Sequence, residues 1–178
     1  MGVKYINPIN CTTGTGLTSA TIFLDNDSGA SAGTGTADDF VVSPSLLVNP
    51  GFEWGTTGAW TVYGTYSTSP MSHSGEYALD LNGSYAGAEQ IVSGLQSNTT
   101  YVFGGWLKAD STSDAVNISV KNFGGTEIYL SVSTGSYTWK TVTFTTGSAN
   151  TSAQLYIYKA SGGANAFADD LTLSKAQE

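Results

Sequence analysis

The amino-acid sequence predicts an all-β fold, a jelly-roll β-sandwich of two antiparallel sheets. No segment shows the 3.6-residue periodicity of an amphipathic helix. Short runs of alternating apolar and polar residues recur along the chain, and Gly, Asn and Ser interrupt them. About nine such runs are present, which is the strand number expected of a jelly roll.

The clearest predicted strand is the run 101–107, where Tyr101 and Phe103 have one parity and Trp106 has the other. Because successive side chains of a strand point to opposite faces, we expect the first two to face the core. The other predicted strands are 60–66, 77–81, 89–95, 116–123, 127–133, 139–145, 154–159 and 167–173. Two adjacent glycines at 123–126 predict a hairpin turn, since glycine adopts positive φ at little cost.

Composition restricts the class of partner. The chain has 178 residues, 14 of them acidic and 6 basic, for a formal net charge of −8. Such a charge disfavours nucleic acid and anionic membranes, both of which attract clustered Lys and Arg. The single cysteine, Cys11, excludes an internal disulfide, and no apolar run has the length of a membrane helix. The N-terminal residues lack a signal-peptide core, so an export signal would lie upstream.

The first 45 residues form a separate leader, because they contain a partial repeat of residues 152–174, hereafter called the leader echo. Ser19 to Ser43 parallels Ser152 to Ser174, and the Ala-Asp-Asp motif at 37–39 recurs at 168–170. The sequence therefore predicts a leader at 1–45, a β-sandwich at 46–174 and a tail at 175–178. The leader is either part of a preceding repeat, or an extension packed on the sandwich, or a strand pair donated to another copy. Strand donation would cause self-association.

The segment LLVNPGFE, residues 46–53, predicts a sharp bend before the sandwich. Pro50 fixes one φ angle, and Gly51 permits an unusual one. We expect Phe52 to enter the core and Glu53 to point the opposite way. A carboxylate held on such a bend is a candidate cation ligand.

Four later motifs follow this bend in a set order. They are Trp60, SHSGEYALDL at 72–81, GLQSNTTYVFGGWLKAD at 94–110 and ADDLTL at 168–173. In this order the motifs resemble the β-sandwich carbohydrate-binding modules grouped as families 4, 9, 16 and 22. The resemblance covers about 46–174 and implies a non-catalytic module that binds polysaccharide.

The resemblance also implies a structural Ca²⁺ ion that joins the first bend, a turn and the last strand. The implied ligands are the side chains of Glu53 and Asp169, with backbone carbonyls near Gly51, Ser72 and Gly75. Asp169 shares the parity of the apolar residues that follow it, so we expect it at the inward-facing edge. Asp170 has the opposite parity and is the weaker candidate. Alternatively, both acidic side chains are solvated charges near strand ends.

Aromatic side chains on the non-core faces of strands are the candidate sugar contacts, since a ring can cover the apolar face of a pyranose while polar groups bond its hydroxyls. The candidate ligand-binding residues are Trp106, Tyr129, Tyr156, Tyr158 and Trp139 by parity, Trp54 in a loop, and Gln90 and Lys108 as polar partners. Gln90 has core parity and is alternatively a satisfied buried amide. We expect Trp60 to lie in the core.

Signals for catalysis are weak. The chain has one histidine, His73, in a serine-flanked turn, and no glycine-rich phosphate loop precedes a helix. The sequence therefore predicts a non-enzymatic, extracellular or cell-surface module of a larger protein that binds polysaccharide. The alternative is a structural module of an extracellular fibre, surface layer or phage appendage that uses the same fold without affinity for sugar.

Overall fold

The computed structural model describes residues 46–176, and within them every regular element is a strand. The strands are β1 (Thr61–Tyr63), β2 (Tyr66–Ser69), β3 (Ala78–Leu81), β4 (Ala86–Ser93), β5 (Thr100–Ala109), β6 (Val116–Lys121), β7 (Ile128–Val132), β8 (Thr138–Thr145), β9 (Ser152–Lys159) and β10 (Ala166–Lys175). No helix in this part of the chain could span a membrane. The leader at 1–45, with its echo and Cys11, lies outside the described residues.

The strands form two five-stranded antiparallel sheets, which confirms the predicted fold class. The first sheet has the order β1-β4-β9-β6-β7, and the second has the order β2-β3-β10-β5-β8. The predicted strand 60–66 is in fact two strands, β1 and β2, one in each sheet. Gly64 separates them with a φ of 72°, a left-handed conformation that glycine adopts readily. The hairpin predicted around 123–126 joins β6 to β7, which pair antiparallel.

The core lies between the two sheets and includes the side chains that alternation assigned to it. Phe103 and Leu107 are fully buried, and Tyr101 is 4% exposed. Phe52 and Trp60 are also buried, with their ring centroids 5.5 Å apart. The Trp60 indole N–H donates to a backbone carbonyl at 3.1 Å, which satisfies its polar group inside the core.

In the bend at 49–53, the residues with positive φ differ from the one that the sequence predicted. Gly51 does not have positive φ; Asn49 and Phe52 do, at 51° and 59°. Asn49 tolerates this conformation because its side chain bonds the local backbone: its amide donates to the Thr56 carbonyl at 2.9 Å, and its oxygen accepts from the Trp54 N–H at 3.3 Å. The bend still buries Phe52 and leaves Glu53 exposed, as expected.

The last strand contains a β-bulge that the sequence did not reveal. Ala168 lies opposite Leu107 on the core face, and Asp169 lies opposite Trp106 on the outer face. The register then shifts by one residue before Thr172. Before the shift the even-numbered Ala168 faces the core, and after it the odd-numbered Leu171 and Leu173 do so. The expectation that Asp169 shares a face with Leu171 is therefore wrong. Asp169 is nonetheless fully buried, because the turn at 72–77 covers it.

Candidate functional site

Two acidic side chains are held by one turn, the segment 72–77 between β2 and β3. The Glu53 carboxylate accepts the backbone N–H groups of Glu76 and Tyr77 at 2.9 and 3.1 Å. A Cβ at Gly75 would lie 2.4 Å from a Glu53 oxygen, so only glycine leaves room for this carboxylate. The Ser72 hydroxyl donates to the Gly75 carbonyl at 3.2 Å, which closes the turn.

Asp169 occupies the other end of the same turn. It accepts the N–H groups of His73 and Ser74 at 2.8 and 3.1 Å, and that of Asp170 at 2.7 Å. Burial, and next the charge of Asp170, raise the pKa of Asp169 to about 7, although these N–H groups act in the opposite direction. Glu53, Asp169, Asp170 and the turn 72–77 are hereafter called the carboxylate junction.

The carboxylate junction fits a hard cation in the type of its ligands. Its oxygens are those that Ca²⁺ prefers, and a cation would offset the cost of burying Asp169 as an anion. Gly51 lies against it, since a Cβ there would be 3.5 Å from Glu53 and 3.6 Å from Asp169. No three His, Cys, Asp or Glu side chains between 46 and 176 surround a single metal position, so backbone oxygens would have to complete a coordination shell.

The histidine of the chain also belongs to this region. His73 Nδ1 lies 2.8 Å from Asp170, and its ring stacks on Trp106 with centroids 4.0 Å apart. The Ser74 hydroxyl donates to Asp170 at 2.8 Å rather than to His73. A nucleophilic serine must bond the histidine that activates it, so these three residues do not form a Ser-His-Asp triad.

Three of the predicted ligand contacts lie on the outer face of the second sheet, where other side chains already engage them. Trp106 has one ring face against His73, and Trp139 meets it edge-on at 5.6 Å. Trp139 in turn lies over Gly104, where a Cβ would come within 2.6 Å of the indole. The Lys108 ammonium pairs with Asp110 at 2.9 Å. These aromatic rings cover their own sheet more than they face solvent.

The outer face of the first sheet forms a regular grid, because directly paired residues of antiparallel strands share a face. One row across the sheet contains Thr61, Glu89, Tyr156, Ser119 and Tyr129. The next row contains Tyr63, Gly87, Tyr158, Asn117 and Ser131. The small side chains of β6 therefore lie between the tyrosines of β9 and β7, which leaves a depression in the surface.

This depression, hereafter the tyrosine groove, has a volume of about 350 Å³. Its lining consists of Tyr63, Asn117, Ser119, Lys121, Glu127, Tyr129, Tyr156 and Tyr158. Tyr129 is an open wall of the groove, with 59% of the residue exposed. The volume is within the range of small-ligand sites, and four tyrosines share the lining with four polar or charged side chains.

Tyr63 reaches into the tyrosine groove from the edge of the sheet because Gly87 lets it cross the neighbouring strand. A Cβ at Gly87 would lie 2.5 Å from the phenol of Tyr63, and the two rings of Tyr63 and Tyr158 are 6.2 Å apart. Burial, and next the charge of Glu89, raise the pKa of Tyr63 to about 12. Its hydroxyl is therefore a neutral hydrogen-bond donor at physiological pH.

Tyr156 is fixed from both sides. Its hydroxyl donates to the Glu127 carboxylate, and the Lys121 ammonium lies 4.6 Å from its ring centroid. Burial, and next the hydrogen bond to Glu127, raise the pKa of Tyr156. Lys121 also lies 3.8 Å from Glu89. The groove is thus preorganised by contacts among its own side chains.

The structure therefore separates the predicted ligand contacts into two surfaces on opposite sheets. Tyr129, Tyr156 and Tyr158 lie in the tyrosine groove, whereas Trp106, Lys108 and Trp139 lie on the second sheet. Trp54 is in the loop after the bend, 52% exposed.

Gln90 belongs to neither surface. It is 8% exposed, it accepts the Val48 N–H, and it donates to the carbonyls of Val48 and Ala59. These contacts favour the alternative of a satisfied buried amide.

Sequence reasoning missed Tyr63 and the polar lining of the groove. The signal for Tyr63 was available: Trp60 and Val62 share the core parity, so the residue after Val62 must face outward. Lys121, Glu127 and Asn117 carry no such signal, because polar residues are common on any solvated face.

Comparison with known proteins agrees with this architecture. The family profile described as "Carbohydrate binding domain" matches residues 44–164. The keratan-sulfate endo-1,4-beta-galactosidase of Sphingobacterium multivorum is 39% identical over 132 residues, which are 73% of this chain and 31% of that enzyme. The chain thus spans about a third of the length of this curated relative.

Two solved structures are similar over most of the described residues. The structure of TmCBM61 in complex with beta-1,4-galactotriose is 25% identical, with a TM-score of 0.62 over 75% of this chain and 100% of that one. A family 16 carbohydrate-binding module is 30% identical, with a TM-score of 0.61 over 72% of this chain and 99% of that one. The two-sheet fold and the profile match over residues 44–164 together show that the chain belongs to the carbohydrate-binding domain family, as the resemblance of its motifs predicted.

Proposed function

We propose that residues 46–176 form a non-catalytic module that binds a β-linked, galactose-containing glycan in the tyrosine groove. The observation that carries this proposal is the convergence of four tyrosines on one groove of about 350 Å³. The names of the relatives support the choice of sugar, since one acts on keratan sulfate and another was solved with β-1,4-galactotriose.

The groove offers both kinds of contact that a sugar requires. The exposed ring of Tyr129 can cover the apolar C–H face of a pyranose, and the phenol of Tyr63 can donate to a hydroxyl or ring oxygen. On the floor between them, the Asn117 side-chain oxygen accepts the Ser131 hydroxyl at 2.6 Å, which leaves the Asn117 amide group available to donate. Because other side chains hold Tyr63 and Asn117, little entropy of these two side chains would be lost on binding.

Titration calorimetry with β-1,4-galactotriose tests the proposal. Replacement of Tyr129 by Ala should weaken binding about tenfold, or about 1.4 kcal/mol, because the ring supplies the apolar contact. Tyr66→Ala is the matched control, since Tyr66 is 39% exposed on an edge strand of the other sheet. Equal losses in both variants, or no binding by the unaltered protein across a panel of galactans, would contradict the proposal.

We also propose that the carboxylate junction binds a structural Ca²⁺ ion. The ligands would be the side chains of Glu53 and Asp169, with carbonyl oxygens near Gly51, Ser72 and Gly75. The ion would neutralise Asp169 and strengthen the link between the first bend, the turn and β10. The ion would lie at the second sheet, away from the tyrosine groove on the first sheet, so its role would be stability rather than sugar contact.

The module would act as an attachment device of a larger extracellular protein. The chain matches only 31% of the enzyme from S. multivorum, which leaves ample length for a catalytic domain in that relative. In such an arrangement the module would keep its partner domain close to the polysaccharide and raise the local substrate concentration.

A further inference from the structure

The tyrosine groove carries a charge pattern that bears on which glycans it can accept. The charged side chains of the described residues at the groove are Glu127 and Lys121 in its lining and Glu89 beside them. Two carboxylates and one ammonium give a net negative surface, and the formal charge of the whole chain is −8. An anionic ligand would therefore be repelled at short range by the groove and at long range by the net charge of the chain.

The one ammonium of this set is already engaged. Lys121 lies 3.8 Å from the Glu89 carboxylate and 4.6 Å from the ring centroid of Tyr156. Proteins that recognise sulfate or phosphate groups present arginines, free lysines or clustered backbone N–H groups to them. The chain has 6 Lys and Arg residues in all, and Lys121 alone lines this groove. A sulfate ester would therefore have to compete with Glu89 for it.

Glu127 is an exposed carboxylate in the lining of the groove. It accepts the hydroxyl of Tyr156, which is 7% exposed and held in the middle of the sheet. Because a positioned carboxylate accepts sugar hydroxyls but repels a sulfate ester, it can distinguish a bare glycan from a sulfated one.

We propose that the groove accepts only uncharged β-galactoside stretches and rejects sulfate esters, with Glu127 as the residue that sets this specificity. This inference rests on the proposed glycan-binding function. It means that on a partly sulfated galactan the module would select the unsulfated segments.

Calorimetric titration with keratan sulfate, and with the same polymer after chemical desulfation, tests the inference. The unaltered protein should bind the desulfated polymer at least about tenfold more tightly, a difference of about 1.4 kcal/mol. Glu127→Gln should reduce this ratio of affinities, because the variant should bind the sulfated polymer more tightly. Glutamine keeps an oxygen for the Tyr156 hydroxyl but loses the charge. Asp110→Asn removes the same charge just after β5, a strand of the opposite sheet, and should leave the ratio unchanged.

Binding of β-1,4-galactotriose, measured in parallel, separates the two ways to fail. If the trisaccharide binds but the sulfated polymer binds as tightly as the desulfated one, the charge inference is wrong and the glycan-binding proposal stands. If Glu127→Gln and Asp110→Asn change the ratio equally, Glu127 does not set the specificity. If the unaltered protein binds neither the trisaccharide nor the desulfated polymer, both proposals fall.

Discussion

Asp80 is a buried carboxylate with an incomplete set of partners. It is 6% exposed on the outer face of β3, and its Oδ1 atom has no hydrogen bond within the described part of the chain. Its Oδ2 atom accepts from Asn165 at 3.1 Å and from Ser67 at 3.5 Å. Burial raises the pKa of Asp80 against the opposing effect of the hydrogen bond from Ser67, and the nearby charge of Asp110 raises it further.

The raised pKa of Asp80 predicts a pH-dependent stability. The folded protein holds this proton more tightly than the unfolded chain, whose ordinary value is 3.8. The stability that protonation confers is complete below that value and is lost as the pH rises through the folded pKa. Asp80→Asn should remove this loss and raise the free energy of unfolding at pH 7 by on the order of 1 kcal/mol, with no gain at pH 3.

Denaturant unfolding of both proteins from pH 3 to pH 8 provides the measurement. Glu76→Gln is the control, because its side chain is exposed and its charge is not among those that shift the pKa of Asp80. A constant difference between Asp80→Asn and the unaltered protein at every pH would exclude titration of Asp80 as the cause.

Single residues show where parity succeeds as a predictor. Alternation placed Phe103 in the core and Tyr129 outside, because a regular strand fixes the face of each side chain. It failed for Asp169, because one extra residue in β10 reverses the parity of everything after it. Nothing in the letters ADDLTL marks the position of that bulge.

At the scale of elements, the carboxylate junction joins three segments distant in the chain. Glu53 and Asp169 each accept two backbone N–H groups from the turn 72–77. The resemblance of the motif order to the family pattern implied that these three segments meet. Asp170, which has a left-handed φ of 49° in the bulge, contacts His73 and Ser74 of this turn, and the sequence did not indicate either contact.

Calcium should stabilise the fold through this junction. At about 10 mM Ca²⁺, a dissociation constant of about 1 mM would add about 1.4 kcal/mol to the free energy of unfolding. The melting temperature should rise by a few degrees and return to its initial value with excess chelator. Differential scanning calorimetry gives both quantities.

The Glu53→Gln and Asp169→Asn variants should lose the response to calcium. Glu76→Gln makes the same chemical change at an exposed side chain of the same turn and should retain it. The calcium proposal is wrong if chelator leaves the melting temperature of the unaltered protein unmoved, or if all three variants respond alike.

The tyrosine groove depends on β4 having no side chain beneath Tyr63. Gly87→Ala would place a Cβ 2.5 Å from the Tyr63 phenol and 2.8 Å from the Ile157 carbonyl oxygen. The ring must then shift, so we expect weaker binding of galactotriose and a loss of about 1–3 kcal/mol of stability. Calorimetry and denaturant unfolding measure the two effects.

A double-mutant comparison separates loss of the ring position from general damage. If Gly87 acts through Tyr63, then Gly87→Ala should weaken binding in the unaltered background but have little further effect in Tyr63→Ala. Gly135→Ala is the control, because a Cβ at that position meets nothing within 4 Å. Additive effects on affinity would show that Gly87 does not act by accommodating Tyr63.

At the scale of the whole molecule, the aromatic residues that parity placed in one set of candidate contacts lie on two different sheets. Trp106 and Tyr129 are both outward-facing by parity, yet they lie on opposite sheets because β5 and β7 pair with different neighbours. Parity gives the face of a strand but not the sheet to which that strand belongs. The motif order identified the family and the fold, whereas the location of the groove required the strand order.

The strand order also shows which elements the leader echo matches. Ser19 to Ser43 parallels a segment that contains β9 and most of β10. β9 is the middle strand of the first sheet and β10 the middle strand of the second. A segment that folded like this pair would have unpaired edges on both sides, and the strand-donation hypothesis states that another copy supplies its partners.

This hypothesis predicts that the full chain forms dimers or larger assemblies, whereas a chain without residues 1–44 is a monomer. Size-exclusion chromatography with light scattering measures both masses. Ile22→Asp should return the full chain to a monomer, because at the offset of the echo Ile22 matches Leu155, which is fully buried in the core. Thr21→Asp is the matched control, since Thr21 corresponds to Gln154 on the outer face and a charge there should be tolerated. A monomeric full chain would exclude strand donation and leave the leader as part of a preceding repeat or as an extension packed on the sandwich.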